Sequence, residues 1–129
     1  MDTVMIIGKD GGDLSAVHQS YASFAQGNVR SAAANTQVDL AYAAVPGHNN
    51  CLGGVAWSYD GNPTDGRLWI TVGAATVFDL DVTQGGPGFI PFSPPLESQG
   101  ELVVHLAAAG AGVVGKLSVL GRWTRSRHR

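Results

Sequence analysis

The sequence predicts an all-β protein: an antiparallel β-sandwich of the jelly-roll type, with about seven to eight strands and an N-terminal arm or short helix. In several short runs, apolar and polar residues alternate with period two, which is typical of strands that bury one face. Turn signals separate these runs at intervals of roughly 8 to 12 residues. The 129 residues include 18 glycines and 6 prolines but only 14% charged residues, a composition that favours a turn-rich sandwich over a helical domain.

The clearest strand covers residues 76–82. Val77, Asp79 and Asp81 lie on the face expected to point to solvent, and the other face, expected to point inward, carries Thr76, Phe78, Leu80 and Val82. The alternation or composition predicts further strands over 36–43, 51–59, 68–72, 89–92, 101–106 and 113–123. We expect these strands to bury a core between two sheets that includes Val38, Leu40, Tyr42, Phe78, Leu80, Val82, Leu117 and Val119.

Glycine and proline add three local predictions. Pro91 predicts that residues 89–92 form an edge strand or a bulge, because proline cannot donate to a central ladder. The Gly53-Gly54 pair predicts a bulge or a close backbone approach. The small residues of 107–112 predict a hairpin connection between the strands on either side.

The chain divides into an N-terminal arm (1–33), a sandwich domain (34–123) and a basic C-terminal tail (124–129). Residues 4–7 are a candidate first strand, and residues 27–35 are interpreted as a loop or as the end of the arm. Between 13 and 26, apolar residues recur at spacings of three and four, so a helix and an extended arm both stay open. We expect the two ends to contact partner subunits through Val4, Ile6, Leu14, Val17, Tyr21, Phe24, Arg122, Arg125 and Arg127.

Charge and hydropathy narrow the range of partners. All ten acidic residues lie in 1–121, whereas four of the eight basic residues are arginines within the last eight positions. The arginines of the tail could bind phosphate groups or an acidic partner surface, or they could be solvated at a partly disordered terminus. Neither a membrane-spanning run nor a signal peptide is recognisable, so we expect synthesis in a cytoplasm and no membrane partner.

The residues predict no catalytic, cofactor-binding or metal site. His18, His48, His105 and His128 are scattered without metal-ligand spacing, and there is no His-x-His pair. His105 alternates with apolar neighbours and is expected to face solvent. Cys51 is interpreted as a small buried hydrophobe, and no nucleophile or phosphate-loop motif is found. The sequence therefore indicates a binding protein rather than an enzyme.

The three aromatic residues Trp57, Tyr59 and Trp69 allow two interpretations. They could form an exposed platform on which a sugar ring stacks, or they could fill the edges of the core. The first interpretation makes a carbohydrate-binding module an alternative function for the chain.

Several runs resemble small proteins encoded among the structural genes of tailed phages and prophages. The resemblance covers about residues 34–123 and rests mainly on GPGFIPF at 86–92 and GVVGKLSV at 112–119, with Ala34-Asn35-Thr36, Trp57-Ser58-Tyr59 and Pro63-Thr64. Such proteins include capsid decoration, or cement, proteins with jelly-roll folds. The resemblance implies a virion protein on the outer surface of the capsid. Since this surface lies outside the compartment of the genome, the basic tail would contact an acidic capsid surface and not nucleic acid. On this surface the protein would stabilise the shell by binding the major capsid protein and other copies of itself, as a dimer or trimer; a tail or head-fibre component is the alternative.

Overall fold

The computed structural model describes residues 29–125, and the strands within them form two antiparallel sheets without any helix. The bounds of the strands are β1 Val29–Ser31, β2 Val38–Tyr42, β3 His48–Tyr59, β4 Gly66–Val72, β5 Ala75–Val82, β6 Gly88–Ser98, β7 Leu102–Leu106 and β8 Gly115–Arg125. The predicted all-β class and the strand number are confirmed. Because this part of the chain has no helix, it has none that could cross a membrane.

The strand order is that of a jelly roll. Sheet A has the order β1-β8-β3-β6 and sheet B the order β2-β7-β4-β5. Neighbouring strands in each sheet are antiparallel, and the chain passes repeatedly from one sheet to the other, as two interlocked Greek keys require. The predicted antiparallel sandwich of jelly-roll type is therefore present.

The core lies between the sheets and is built from the alternate residues of each strand whose side chains point inward. Leu52 and Leu117 from sheet A, and Leu68, Ile70 and Leu106 from sheet B, are completely buried. Six of the eight predicted core residues are buried, namely Val38, Leu40, Tyr42, Val82, Leu117 and Val119. The other two, Phe78 and Leu80, point inward but are only partly buried, because β5 is an edge strand.

One open side of the sandwich is closed by an aromatic pair. Phe78 on the edge strand β5 meets Phe92 on β6, the edge strand of the other sheet, with ring centroids 5.4 Å apart and planes at 90°. This edge-to-face arrangement is favourable for aromatic rings. The half-buried rings of Phe78 and Phe92 thus connect the two sheets at an edge where neither sheet has a further strand.

Two glycine and proline predictions are confirmed. The register of β3 shifts between Leu52 and Gly54 against both of its neighbours, so the glycine pair marks a β-bulge. Strand β6, which contains Pro91, is an edge strand of sheet A. Proline cannot donate a hydrogen bond to a central ladder and glycine has no side chain to pack, so the first favours an edge strand and the second a bulge.

Three local predictions are wrong. Residues 107–112 do not form a hairpin, because β7 lies in sheet B and β8 in sheet A, and the connection crosses between the sheets. Residues 29–31, expected in a loop, form β1 through pairing with β8. Thr76, expected to face inward, lies opposite Thr71 instead, since an irregularity in the β4–β5 register leaves Val77 without a partner and shifts the phase by one residue.

The predictions for the two termini lie outside the described residues. They are the first strand over 4–7, the helix or extended arm over 13–26, and the contacts assigned to Arg127 and to the apolar positions Val4, Ile6, Leu14, Val17, Tyr21 and Phe24. These remain predictions.

Candidate functional site

The outer surfaces of the two sheets are the candidate sites, and we call them face A and face B. On face A, strand pairing aligns Val29, Ser118, Ala56 and Phe89 in one row across all four strands. Leu120 and Gly54 lie opposite each other in the adjacent row. Since directly opposed residues share a side of the sheet, these residues form one surface, which we call the apolar patch.

The side chains of the apolar patch are exposed to solvent. Val29 is 72% exposed, Leu120 is 55% exposed and Phe89 is 53% exposed. Among residues 29–125, the only other large hydrophobic side chain that is exposed is Val77, which is 46% exposed and lies in β5 of sheet B. Exposed apolar residues are therefore concentrated on face A.

Gly54 explains how the Phe89 ring lies on the sheet. A Cβ atom added at Gly54 would lie 2.8 Å from Cζ of Phe89, so the ring covers the backbone at a position that has no side chain. The close approach predicted from the glycine pair is thus made by the Phe89 ring. The ring spreads over the patch and adds to its flat apolar area.

Two basic residues of β8 lie beside the apolar patch. Lys116 and Arg122 are on the same side of the strand as Leu120, whereas Arg125, exposed at the end of the strand, alternates with the inward-facing residues and is not part of face A. Arg122 lies opposite Cys51, which in turn lies opposite Glu97. Cys51 is fully buried despite facing outward, and burial raises the pKa of its thiol, with Arg122 opposing and Glu97 adding to the shift.

Face B is polar and extensively hydrogen-bonded. Strand pairing aligns Asp39, His105, Trp69 and Asp79 across all four strands of sheet B, and we call these four residues the polar row. The ring planes of His105 and Trp69 are stacked at 14°, with centroids 4.6 Å apart. The predicted outward orientation of His105 and Asp79 is confirmed, but neither side chain is simply solvated.

Arg67 connects two members of the polar row. Its Nε and Nη2 atoms donate hydrogen bonds of 2.9 and 2.8 Å to the two carboxylate oxygens of Asp79. Its guanidinium carbon lies 4.3 Å from the centroid of the Trp69 ring. The hydrogen bonds from Arg67 hold the pKa of the Asp79 carboxyl below its ordinary value. Bidentate pairing of this kind immobilises both side chains.

His105 is hydrogen-bonded on both sides of its ring. Its Nδ1 lies 2.7 Å from Oδ1 of Asp39, and its Nε2 lies 3.0 Å from the hydroxyl oxygen of Thr71. Gln37 donates a hydrogen bond of 2.9 Å to the same Asp39 oxygen. No pattern in the sequence predicts these contacts, because the hydrogen-bonded residues are 34 and 66 positions apart along the chain.

The proposed aromatic platform is not formed. Trp69 lies on face B, whereas Trp57 and Tyr59 belong to β3 of sheet A and pack against the core. Tyr59 is buried and donates a 2.7 Å hydrogen bond to the carbonyl of Ala107, and burial raises its pKa. The three rings therefore do not share one surface, and only Trp69 remains accessible on a sheet face.

Other candidate sites are absent from residues 29–125. No three His, Cys, Asp or Glu side chains in this range are grouped so that they could hold a metal ion. An open cavity of about 380 Å³ lies beside Pro63, Asp65, Arg67 and Asp81, where β4 begins and β5 ends. Its wide opening and mixed lining do not enclose a ligand.

Comparisons with known proteins add similarity at the level of architecture. No protein-family model and no curated protein match the chain. Among solved structures, the carbohydrate-binding module CBM36 in complex with calcium and xylotriose is 14% identical, with a TM-score of 0.39 over 73% of this chain and 78% of that one. The nucleoplasmin-like N-terminal domain of Drosophila FKBP39 is 15% identical, with a TM-score of 0.37 over 81% and 95%.

A third solved structure of similar size is the CBM36-1 domain of a multidomain xylanase from the hindgut metagenome of Trinervitermes trinervoides. It is 10% identical, with a TM-score of 0.39 over 84% of this chain and 96% of that domain. What this protein binds must therefore be argued from its own two faces.

Proposed function

We propose that the protein is a structural binding subunit that docks on another protein through the apolar patch of face A. The observation that supports this proposal is the concentration of exposed Val29, Phe89 and Leu120 on one side of one sheet. Contiguous apolar surface of this kind is typical of protein interaction sites. This role needs no catalytic step.

The charges around the patch define the chemistry of the partner. Lys116 and Arg122 of β8 lie on the same side of the strand as Leu120 and favour a partner surface with an apolar centre and acidic groups beside it. The resemblance of the sequence to phage decoration proteins supports one such partner, the major capsid protein. We therefore propose that the chain decorates the outer surface of a phage capsid as a dimer or trimer and stabilises the shell.

Binding to capsids lacking the chain tests this proposal. The double variant F89S/L120S should bind at least about a hundredfold more weakly, because each side chain contributes about 1.5 to 3 kcal/mol when fully buried and about 1.4 kcal/mol is a tenfold change in affinity. V77S is the matched control, since Val77, like Phe89 and Leu120, is an exposed large apolar side chain on a sheet but lies in sheet B. It should bind like the parent protein.

Two results would overturn the proposal. One is the absence of the chain from purified virions, as measured by gel electrophoresis and mass spectrometry. The other is unchanged capsid binding by F89S/L120S. Copy number distinguishes the alternatives within the virion, because a shell protein is present in many copies and a tail or head-fibre protein in few.

The N-terminal arm gives a second possible contact that can be tested separately. Deleting residues 1–26 should abolish capsid association if the arm carries the main contact, as the sequence predicts. Loss of binding on this deletion, with normal binding by F89S/L120S, would assign the interface to the arm instead of face A. Reduced binding in both variants would mean that the arm and the patch act together.

A carbohydrate-binding role is the second candidate, and the observation that favours it is the position of Trp69. Its ring lies in the centre of face B between His105 and Arg67, so a sugar would stack on it by displacing one of these two contacts. Tryptophan fluorescence titrated with linear oligosaccharides should then change in the parent protein but not in W69F. No change with any sugar would remove this candidate.

A further inference from the structure

Asp39, His105 and Thr71 form a continuous chain of hydrogen bonds on face B. The carboxylate contacts Nδ1 of the imidazole at 2.7 Å, and the hydroxyl contacts Nε2 at 3.0 Å. Carboxylate, imidazole and hydroxyl in this order, each on the appropriate ring nitrogen, are the arrangement by which a side-chain alcohol is activated as a nucleophile. No other feature of the protein described above uses Thr71.

The tautomer of His105 follows from its partners. An ionised carboxylate only accepts hydrogen bonds, so the ring proton lies on Nδ1 and is donated to Asp39. In the neutral ring, Nε2 then carries a lone pair, and the Thr71 hydroxyl donates to it. His105 is thereby held in the form that can remove the proton of this hydroxyl.

The imidazole is also held in place from its flat side. Trp69 stacks on it, and Trp69 is in turn contacted by Arg67, which Asp79 binds through two hydrogen bonds. The side chain of His105 is only 16% exposed. Support of this kind keeps a base within reach of its proton without further ordering.

Thr71 lies where a small substrate can approach it. It is directly opposite Val103, which is opposite Ala41, and these two partly exposed residues make a small apolar floor beside the hydroxyl. On its other side the β4–β5 register is irregular, and such bulges commonly redirect side chains next to active sites. Solvent reaches this face, so water is available for a second step.

We propose that Thr71 is a nucleophile and His105 its general base, and that face B transfers short acyl groups from activated esters to water. Asp39 is a positioning residue in this scheme. The proposal goes beyond the binding role of face A and does not depend on it.

The reaction balances without a cofactor. His105 Nε2 takes the hydroxyl proton as the Thr71 oxygen bonds to the ester carbonyl carbon, and the bond to the leaving alcohol or phenol then breaks. The leaving group takes the proton from His105, which leaves an acyl-threonine. Water then gives a proton to His105 and bonds to the acyl carbon. The bond from that carbon to the Thr71 oxygen breaks, Thr71 takes the proton back from His105, and the free carboxylic acid leaves. General-base assistance contributes about 10²- to 10⁴-fold, which suits esters with good leaving groups rather than amides.

The full-length chain and p-nitrophenyl acetate provide the test, with release of p-nitrophenolate as the readout. T71V and H105Q should lower the rate roughly tenfold or more, whereas T71S, which keeps a hydroxyl, should retain activity. T36V and H48Q are matched controls for an exposed threonine and a histidine outside the chain of hydrogen bonds, and both should behave like the parent. F89S/L120S should also leave hydrolysis unchanged, which separates this proposal from the binding role of face A.

Two further measurements complete the test. Intact-protein and peptide mass spectrometry should find the acetyl group on Thr71 in the parent and none there in H105Q. D39N should shift the pH profile of the rate, which loss of packing alone would not do. Equal rates in T71V and the parent, with equal melting temperatures, would overturn the proposal, as would acetylation only at lysines.

Discussion

The two outer faces of the sandwich differ in how their side chains are held. On face A, Phe89 and Leu120 are exposed, and no contact within the described chain covers them. On face B, by contrast, His105 and Arg67 each make two side-chain hydrogen bonds and a ring contact. Face A therefore presents apolar side chains that a partner can cover. On face B the polar side chains bind one another, and these contacts hold reactive groups in place.

This difference arises from similar strands. Both sheets have four strands and bury aliphatic side chains on their inner faces. The two sheets differ in the side chains that point outward. Strand β8 has leucine and serine on its outer side, whereas β4 has arginine, tryptophan and threonine. Stability and function are thus carried by alternate residues of the same strands, and substitutions can test them separately.

The largest effect is expected on the inner faces, which should behave alike. Leu117 in sheet A and Leu68 in sheet B are both fully buried. L117A and L68A should each lower the free energy of unfolding by about 2 to 5 kcal/mol, through lost burial and the cavity left behind. Urea denaturation measures both. A large loss for one and less than about 1 kcal/mol for the other would show that the sheets do not support the core equally.

A smaller effect is expected on face B. H105A removes the hydrogen bonds to Asp39 and Thr71 and the stacking on Trp69, so it should cost about 1 to 2 kcal/mol of unfolding free energy. H48A, at the other histidine of the described residues, removes one hydrogen bond to the carbonyl of Pro46 and a tilted ring contact with Trp123 whose centroids are 6.2 Å apart, so it should cost less. Equal costs for the two variants would contradict the difference drawn between the faces.

A still smaller effect is expected on face A. L120S should change the unfolding free energy by no more than about 0.5 kcal/mol, because the side chain is 55% exposed and buries little in the isolated protein. Thermal unfolding of the parent and L120S measures this directly. A loss above about 2 kcal/mol would mean that the apolar patch is covered within the chain itself.

The smallest effect concerns acid. Because Arg67 lowers the folded-state pKa of Asp79, this pair contributes stability above the unfolded carboxyl pKa of about 3.9, and loses it as pH falls through the lower folded value. D79N should flatten the decline in stability below about pH 4, slightly and less at high salt, because both side chains are well exposed. E101Q, at an exposed carboxylate that has no side-chain partner among residues 29–125, is the control and should leave the decline unchanged.

The sequence alone determined most of what depends on neighbouring residues. The alternation in 38–42 and 77–82 predicted which side chains point inward, and the glycine pair at 53–54 predicted the bulge in β3. These predictions succeed because the side-chain direction along a strand has a period of two, whatever the strand pairs with. The error at Thr76 arose where a bulge interrupted that period.

The tertiary structure decided which strands lie side by side, and with them both candidate sites. The connection over 107–112 has the composition of a hairpin, yet it joins the two sheets, because β7 is paired between β2 and β4 and β8 between β1 and β3. The same pairing brings Asp39, Thr71 and His105 together and places Phe89 beside Ala56. The alternation of apolar and polar residues specifies to which side of a strand each side chain points, but it does not specify which strands pair. Contacts between side chains of neighbouring strands therefore follow only from the packing of the whole core.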